Sequence, residues 1–433
     1  MSISDQTAAA LWRSSKDYGE DLRLSEKLLS ALREATFDGV GISRPAFSPL
    51  ETKAQDIVGE EARALGLAVS RDEAQNLVMT LEGADRQAPP ILIGSHLDSV
   101  PQGGNFDGAA GVLAGLLILA GLKRAGIVPK RTLKAYGLRG EESSRFGKAY
   151  MGSLTLMGRI AAADLALKDA DGVTLKDAMR QTGLPVDKIE RGEKLLDPAS
   201  VGAWLELHIE QGPLLIARKQ PAGVVSGIRG NVRHKRVEGV GEAAHSGATP
   251  KELRKDAVFA AGDLMMRADR LWNDYLKQRR DLVVTFGVFG TDPKEHAIAK
   301  VPGFVSFSVD IRSQDKATLE AYHAAFKQLA QDVEQERGVA FRFDNRIDSA
   351  PATLDAGWTE RLRQAAVVLG ISDEPVPSGA GHDAAVFAQS GIPSAMVFVR
   401  NEHGSHNPHE AMDIDDFLAG VALIREAVVS FAG

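Results

Sequence analysis

Four short apolar runs in this chain each lead into a cluster of imidazole or carboxylate side chains. Ile91-Leu-Ile-Gly leads into Ser95-His96-Leu97-Asp98, and Leu133-Lys-Ala-Tyr leads to Arg139-Gly140-Glu141-Glu142. Trp204-Leu-Glu-Leu ends at His208-Ile209-Glu210-Gln211-Gly212, and Ala395-Met-Val-Phe-Val runs to Arg400-Asn401-Glu402-His403-Gly404-Ser405-His406. The turn Gly103-Gly104-Asn105-Phe106-Asp107-Gly108 opens a further apolar stretch over 109–122. With no cysteine in the chain, a metal is bound through nitrogen and oxygen alone, which suits Zn²⁺, Mn²⁺, Co²⁺ or Ni²⁺. Taken together, His96, Asp107, Glu142, His208 and His406 are candidate ligands. If His96 binds through one ring nitrogen, Asp98 can accept a hydrogen bond from the other and fix the tautomer. The adjacent Glu141 and Glu142 suggest divided labour, one carboxylate on metal and its neighbour handling a proton. Taken singly, each fragment reads as ordinary strand-end or turn polarity; their coincidence carries the reading.

The elements that position these residues follow from the pattern. The apolar runs, with helical segments between them, read as buried strands of a largely parallel sheet. Ligands in such sheets bind beyond the carboxyl ends of the strands, where these clusters fall. Leu22, Leu24, Leu28, Leu29 and Leu32 recur at helical spacing, and 51–66 repeats the pattern. The middle of the chain differs: 232–240, 282–289 and 304–311 alternate like half-exposed strands, helices are predicted near 253–272 and 315–334, and a last strand lies near 339–343. The order β-α-β-β-α-β predicts a ferredoxin-like sandwich inserted into the larger α/β domain. The expected division is 1–218 and 346–433 for the metal-binding domain and 219–345 for the insert. His234 and His323 fall in the insert without a motif and read as core residues.

Composition removes several function classes. The chain has 433 residues, a prior of two to three domains at about 150 residues each. It has 51 Lys+Arg against 58 Asp+Glu, a net charge of −7, and so lacks the basic excess of a phosphate-bound nucleic-acid binder. Hydrophobic residues at 44% and charged residues at 25% suit a soluble protein with a sizeable core. The longest apolar run, Val112 to Leu122, is about half of the roughly 20 residues that span a bilayer, and the first thirty residues lack a signal-peptide stretch. A cytoplasmic location with no membrane partner is expected. Neither a phosphate-binding glycine motif nor a GxSxG elbow appears.

In order along the chain stand Gly94-Ser-His-Leu-Asp-Ser-Val-Pro, Gly-Gly-Asn-Phe-Asp107-Gly, Glu141-Glu-Ser-Ser-Arg-Phe-Gly, Glu206-Leu-His-Ile-Glu-Gln-Gly-Pro, Ala244-His-Ser-Gly-Ala-Thr-Pro, Asp310-Ile-Arg, Ser378-Gly-Ala-Gly-His-Asp-Ala and Ser405-His-Asn-Pro-His-Glu. From about residue 45 to 415 the chain resembles the amidase branch of the aminoacylase/carboxypeptidase-like dinuclear metallohydrolases. That branch includes N-carbamoyl-L-amino-acid hydrolase, β-ureidopropionase and allantoate amidohydrolase. The resemblance implies a catalytic domain with two divalent metals and a smaller lid domain that forms a homodimer. It implies that His96, Asp107 and His208 bind one metal, and that Asp107, Glu142 and His406 bind the other. It further implies Glu141 as general base, Asp98 as the residue orienting His96, and His245 as an oxyanion donor reaching a second subunit's site. Arg312 would grip a substrate carboxylate, and Gln211 and His382 would line the pocket.

One stretch departs from the family pattern. Relatives often carry Asn-Ala-x-Asn before Val/Ile-Pro-Gly, whereas this chain has His296-Ala-Ile-Ala-Lys-Val-Pro-Gly. His296 and Ala299 therefore replace both asparagines, and His296 with Lys300 would reshape the substrate pocket, unless the loop simply repositions. The expected activity is hydrolysis of an N-carbamoyl bond in a small carboxylate-bearing substrate. The alternatives are an N-acyl amino acid amidase or dipeptidase on the same scaffold, and a noncatalytic metal- or ligand-binding protein.

Overall fold

The computed structural model describes Arg13 and residues 17–431. Residues 1–12, 14–16, 432 and 433, at the outer ends of the predicted metal-binding segments, lie outside the described residues.

Strands Ile91–His96, Ala203–Ile209 and Ser394–Val399 are buried along their whole length. A strand covered on both faces has no polar face to alternate with, which explains the unbroken apolar runs. Together with Leu133–Leu138 they form the parallel centre of an eight-stranded sheet. Leu77–Leu81 and Ala68–Arg71 extend one side antiparallel. On the other side Ala222–Ile228 pairs antiparallel with Ser394–Val399, and Val376–Ser378 completes the order. Helix Ala109–Arg124 is buried from Ala109 through Leu122, with only its basic C-terminal end reaching solvent. It packs on the central strands and against helix Ile414–Val429. A helix apolar on every side needs such an enclosed place.

The chain divides into two compact units, one of residues up to Ser226 and from Thr353 onward, the other Gly227–Ala352. These divisions lie beyond the expected joints at 218/219 and 345/346, for two reasons. Strand Ala222–Ile228 pairs within the large sheet, and Ile347–Ser349 pairs with Gly230–Val240 in the smaller one. Neither pairing is visible as local periodicity.

In the second unit the sheet order is Phe289–Gly290, Phe304–Ser313, Gly230–Val240, Ala340–Phe343. Strand Phe304–Ser313 alternates regularly, burying Val305, Phe307, Val309 and Ile311. Helices Ala257–Lys277 and Lys316–Arg337 contribute Leu264, Tyr322 and Phe326 to the same core. Asp256 and Asp315 cap these helices through two backbone N–H groups each, which sets their starts beyond those expected. The single strand expected over 282–289 is two, Val283–Thr285 and Phe289–Gly290. The partner strand shifts register between Phe307 and Val309, where the Ser308 hydroxyl and backbone take up Val288 instead of a continuous ladder.

His234 and His323 stack in this unit, with their Nε2 atoms 3.0 Å apart. His234 Nδ1 lies 3.0 Å from the Asp344 carbonyl, and Arg346 lies 3.4 Å from His323 Nδ1. Burial, then the nearby Arg346, lowers the His323 pKa to about 4. The folded unit therefore excludes a proton that the unfolded chain takes up below about pH 6.5. Stability of residues 227–352, followed by hydrogen exchange in the intact chain, is expected to fall as pH drops from about 6.5 to about 4 and to level off below. His323→Leu should flatten that fall; an unaltered slope would contradict it.

Candidate metal centre

All five candidate ligands converge in the first unit. His96 ends the strand Ile91–His96, His208 lies one residue before the end of Ala203–Ile209, and Asp107 immediately precedes the turn into helix Ala109–Arg124. Glu142 follows the strand Leu133–Leu138, and His406 lies beyond Ser394–Val399. His96, Asp107 and His208 offer ligand atoms within 4.8 Å of one another, and so do Asp107, Glu142 and His406. Asp107 is common to both groups. Its Oδ1 lies 3.1 Å from His208 Nε2 and 3.4 Å from His96 Nε2. Its Oδ2 lies 3.5 Å from His406 Nε2, which is 3.2 Å from Glu142 Oε1.

The hydrogen bonds behind the imidazoles decide which nitrogens face inward as lone pairs. His96 Nδ1 lies 3.1 Å from the Asp98 carbonyl and 3.3 Å from Asp98 Oδ1. His208 Nδ1 lies 2.9 Å from the Ile209 carbonyl. These oxygens only accept, so each Nδ1 carries a hydrogen, and in the neutral ring each Nε2 presents its lone pair. The two Nε2 atoms stand 3.5 Å apart facing one carboxylate oxygen. Two lone pairs and an anionic oxygen directed at one point fit a divalent cation of nitrogen–oxygen preference.

The surrounding carboxylates favour positive charge at the same point, whether as a proton on an imidazole or as a cation. Burial resists protonation of His96, but Glu141, Asp107 and Asp98 outweigh it and hold its pKa well above the usual imidazole value. His208 is likewise raised, burial being overcome by Asp107. Burial opposes ionisation of Asp107, yet His208 and His96 hold its carboxyl well below the ordinary range. This is a cluster with more negative than positive side-chain charge and a centre built to attract cations.

Glu141 is not part of either ligand group. Its Oε2 lies 3.8 Å from His96 Nε2. Burial pushes its carboxyl well above the usual range; His96 opposes this and the neighbouring Glu142 adds to it. A base with a raised pKa is better matched to moving protons near neutrality. The Glu141 and Glu142 backbone N–H groups donate to Asp98 Oδ1 and Oδ2 at 3.0 and 2.9 Å. Asp98 thus joins the orientation of His96 to the placement of both glutamates.

Several residues hold Asp107 that the sequence did not single out. Glu410 Oε1 accepts from Phe106 N and Asp107 N at 2.9 and 3.1 Å. The Ser405 hydroxyl lies between Glu410 Oε2, at 2.6 Å, and Asp107 Oδ2. Gly108, at φ 65°, is required here, because a Cβ would lie 2.4 Å from the His96 ring. Glu410 closes the Ser405-His-Asn-Pro-His-Glu fragment, so its motif was visible while its task was not. Gln211, expected in the substrate pocket, donates its side-chain amide to Asp107 Oδ2 at 2.7 Å and stands at φ 60°. His382 is buried, 4.5 Å from His208 ring to ring, with Nε2 3.1 Å from the Ser378 hydroxyl. Burial and then His208 push its pKa well below the imidazole value, so it stays neutral.

His245, Arg312 and His296 belong to the second unit. His245 Nδ1 accepts from Gly247 N and Ala248 N at 3.2 and 3.1 Å, which leaves the exposed Nε2 as an N–H donor. His245 pairs with Lys300 in a two-stranded ladder, and Ser246 N donates to the Ala299 carbonyl at 2.9 Å. The departing segment 296–300 is therefore bound to the His245 loop. His296 Nε2 lies 2.6 Å from Thr291 Oγ1, and Lys300 pairs with Glu295 at 2.9 Å. These residues line a cavity of about 320 Å³. Arg312 is half-buried and pairs with Asp310 at 2.8 Å.

Removal of the shared carboxylate should be more damaging than removal of one imidazole. Asp107→Ala is expected to abolish tight divalent-metal binding, while His406→Ala keeps the part held by His96, Asp107 and His208. Metal analysis after dialysis checks this, and equal losses in both variants would contradict it.

Residues 92–430 match the model of peptidase family M20/M25/M40. The N-carbamoyl-L-amino-acid amidohydrolase of Pseudomonas sp. (strain NS671) is 33% identical, over 90% of this chain and 93% of that protein. The allantoate amidohydrolase of Bacillus subtilis (strain 168) is 32% identical, over 92% of this chain and 94% of that protein. Among solved structures, a hydantoinase/carbamoylase family amidase from Burkholderia ambifaria is similar at a TM-score of 0.84 and 34% identity, covering 95% of this chain and 96% of that one.

Proposed function

We propose, from the premise that the chain belongs to peptidase family M20/M25/M40 and is a hydrolase of carbon–nitrogen bonds in linear amides, that it cleaves the N-carbamoyl (ureido) group of a small carboxylate-bearing substrate. The products are an amine or amino acid, carbon dioxide and ammonia. The observation that carries the hydrolytic reading is Asp107 shared by two ligand groups, with Glu141 beside them and outside both. The ureido preference is supported by the N-carbamoyl-L-amino-acid and allantoate amidohydrolases at about one-third identity.

In this reading His96, Asp107 and His208 hold one divalent ion, and Asp107, Glu142 and His406 hold a second, as Zn²⁺, Mn²⁺, Co²⁺ or Ni²⁺. Such ions supply Lewis-acid chemistry, lowering the pKa of water toward neutrality and polarising a carbonyl. Glu141 accepts the proton of the attacking water on its carboxylate and returns it to the leaving nitrogen. Asp98 keeps the His96 Nε2 lone pair directed inward. His245, with Nε2–H free to donate, stabilises the developing oxyanion in the site of a second copy of the chain. Arg312 receives the substrate carboxylate through its planar fork, giving up its contact with Asp310 to do so. Gly227–Ala352 serves as lid and dimerisation domain of a cytoplasmic homodimer. His382 lines the pocket as a neutral group, and His296 with Lys300 tunes it.

Glu141→Gln is expected to retain divalent metal and lose about 10²–10⁴-fold in turnover of an N-carbamoyl amino acid. A metal-loaded variant with wild-type turnover would sink the assignment. The double replacement His296→Asn with Ala299→Asn should alter the ranking of kcat/KM across a series of N-carbamoyl amino acids; an unchanged ranking would remove the segment from the substrate pocket.

A further inference from the structure

The turn bearing Glu141 and Glu142 stands on a buried ion pair that this chemistry does not use. Arg139 Nη1 lies 2.7 Å from Glu51 Oε2, with side chains 1% and 0% exposed. Glu51 Oε1 accepts from Gly140 N at 2.9 Å, and Oε2 also accepts from Phe47 N at 2.9 Å. Arg139 Nε donates to the Gln75 carbonyl at 2.7 Å, and its backbone N–H to Asn76 Oδ1 at 3.0 Å. Gly140 is at φ 61°, and a Cβ there would lie 2.8 Å from the Phe47 ring. Three successive backbone N–H groups, of Gly140, Glu141 and Glu142, are thus each held by a buried carboxylate, first Glu51 and then the two oxygens of Asp98.

Stability alone does not call for this arrangement. Desolvating two charges offsets much of their attraction, and well-packed apolar residues of similar volume commonly serve stability as well or better. A charged pair that also grips a peptide N–H has a directional effect that apolar packing lacks. We propose that Glu51 and Arg139 are positioning residues, which fix the Gly140 turn and thereby aim the Glu141 and Glu142 carboxylates at the metal centre. The proposal rests on the reading of Glu141 as base and Glu142 as ligand.

The test replaces both charges together, because Glu51→Gln alone leaves a buried Arg139 unpaired. Glu51→Leu/Arg139→Met should fold with a lowered melting temperature, because Gly140 N and Phe47 N lose their buried acceptor. The Kd for Co²⁺, read from its visible absorption, should rise about 10-fold or more. At saturating Mn²⁺, kcat should fall about 10²-fold, with KM within about twofold. A folded double variant with wild-type Co²⁺ affinity and wild-type kcat overturns the proposal. If the double variant does not fold, Glu51→Asp keeps the charge and shortens the reach to Gly140. It should weaken Co²⁺ binding and kcat in the same directions, and wild-type values of both overturn the proposal equally. A wild-type chain silent on every ureido substrate ends the functional reading instead, and the Co²⁺ measurement still decides this one.

Discussion

Everything in the first unit turns on one buried carboxylate. Asp107 is 5% exposed, and both its oxygens are engaged by groups from distant parts of the chain. An isolated ionised carboxylate in such a place would be prohibitively costly. It persists because His96 and His208 face one oxygen, the Gln211 amide donates to the other, and Glu410 grips the backbone beneath. The cluster gathers Asp98, Asp107, Glu141, Glu142 and Glu410 around three imidazoles, a donor set of nitrogen and oxygen that suits divalent cations. The fold supplies the rigidity that such a donor set needs. Fully buried parallel strands end at the cluster, and an enclosed helix starts at it.

The same device recurs around the site. A side-chain carboxylate accepts backbone N–H groups from the next ligand-bearing segment: Asp98 from Glu141 and Glu142, Glu410 from Phe106 and Asp107, Glu51 from Gly140. Each charge-assisted bond fixes a peptide plane, and with it the direction in which the following side chain leaves. Ligand placement is therefore written into backbone geometry rather than left to flexible side chains, which is how a preformed site avoids reorganisation during reaction. Histidine tautomers are fixed in the same way, His96 by Asp98 and His208 by a carbonyl.

Much of this was legible in the sequence. The four strands and their polar ends follow from apolar runs too short for helices, and the candidate ligands follow from the histidine or acid at each end. The alternation of Gly230–Val240 and Phe304–Ser313 and the two helices between the strands of Gly227–Ala352 were readable too, whereas the helix caps and the split of 282–289 were not. What stayed hidden was long-range. Glu410 and Asp107 lie 303 positions apart, and no local pattern announces that one carboxylate holds the other's peptide. The bond from the Gln211 amide to Asp107 likewise spans 104 positions. The unit boundaries moved because strands Ala222–Ile228 and Ile347–Ser349 are defined by their partners, not by their own periodicity.

The central claim is that this centre hydrolyses a ureido bond, and product stoichiometry tests it most directly. Chain reloaded with Mn²⁺, Co²⁺ or Zn²⁺ would be given N-carbamoyl amino acids and, in parallel, N-acetyl amino acids, with ammonia and free amine measured together. The account predicts ammonia and amine in equal amounts from the N-carbamoyl substrates, abolished by chelator and restored by metal. Amine without ammonia, from the N-acetyl substrates alone, would contradict it.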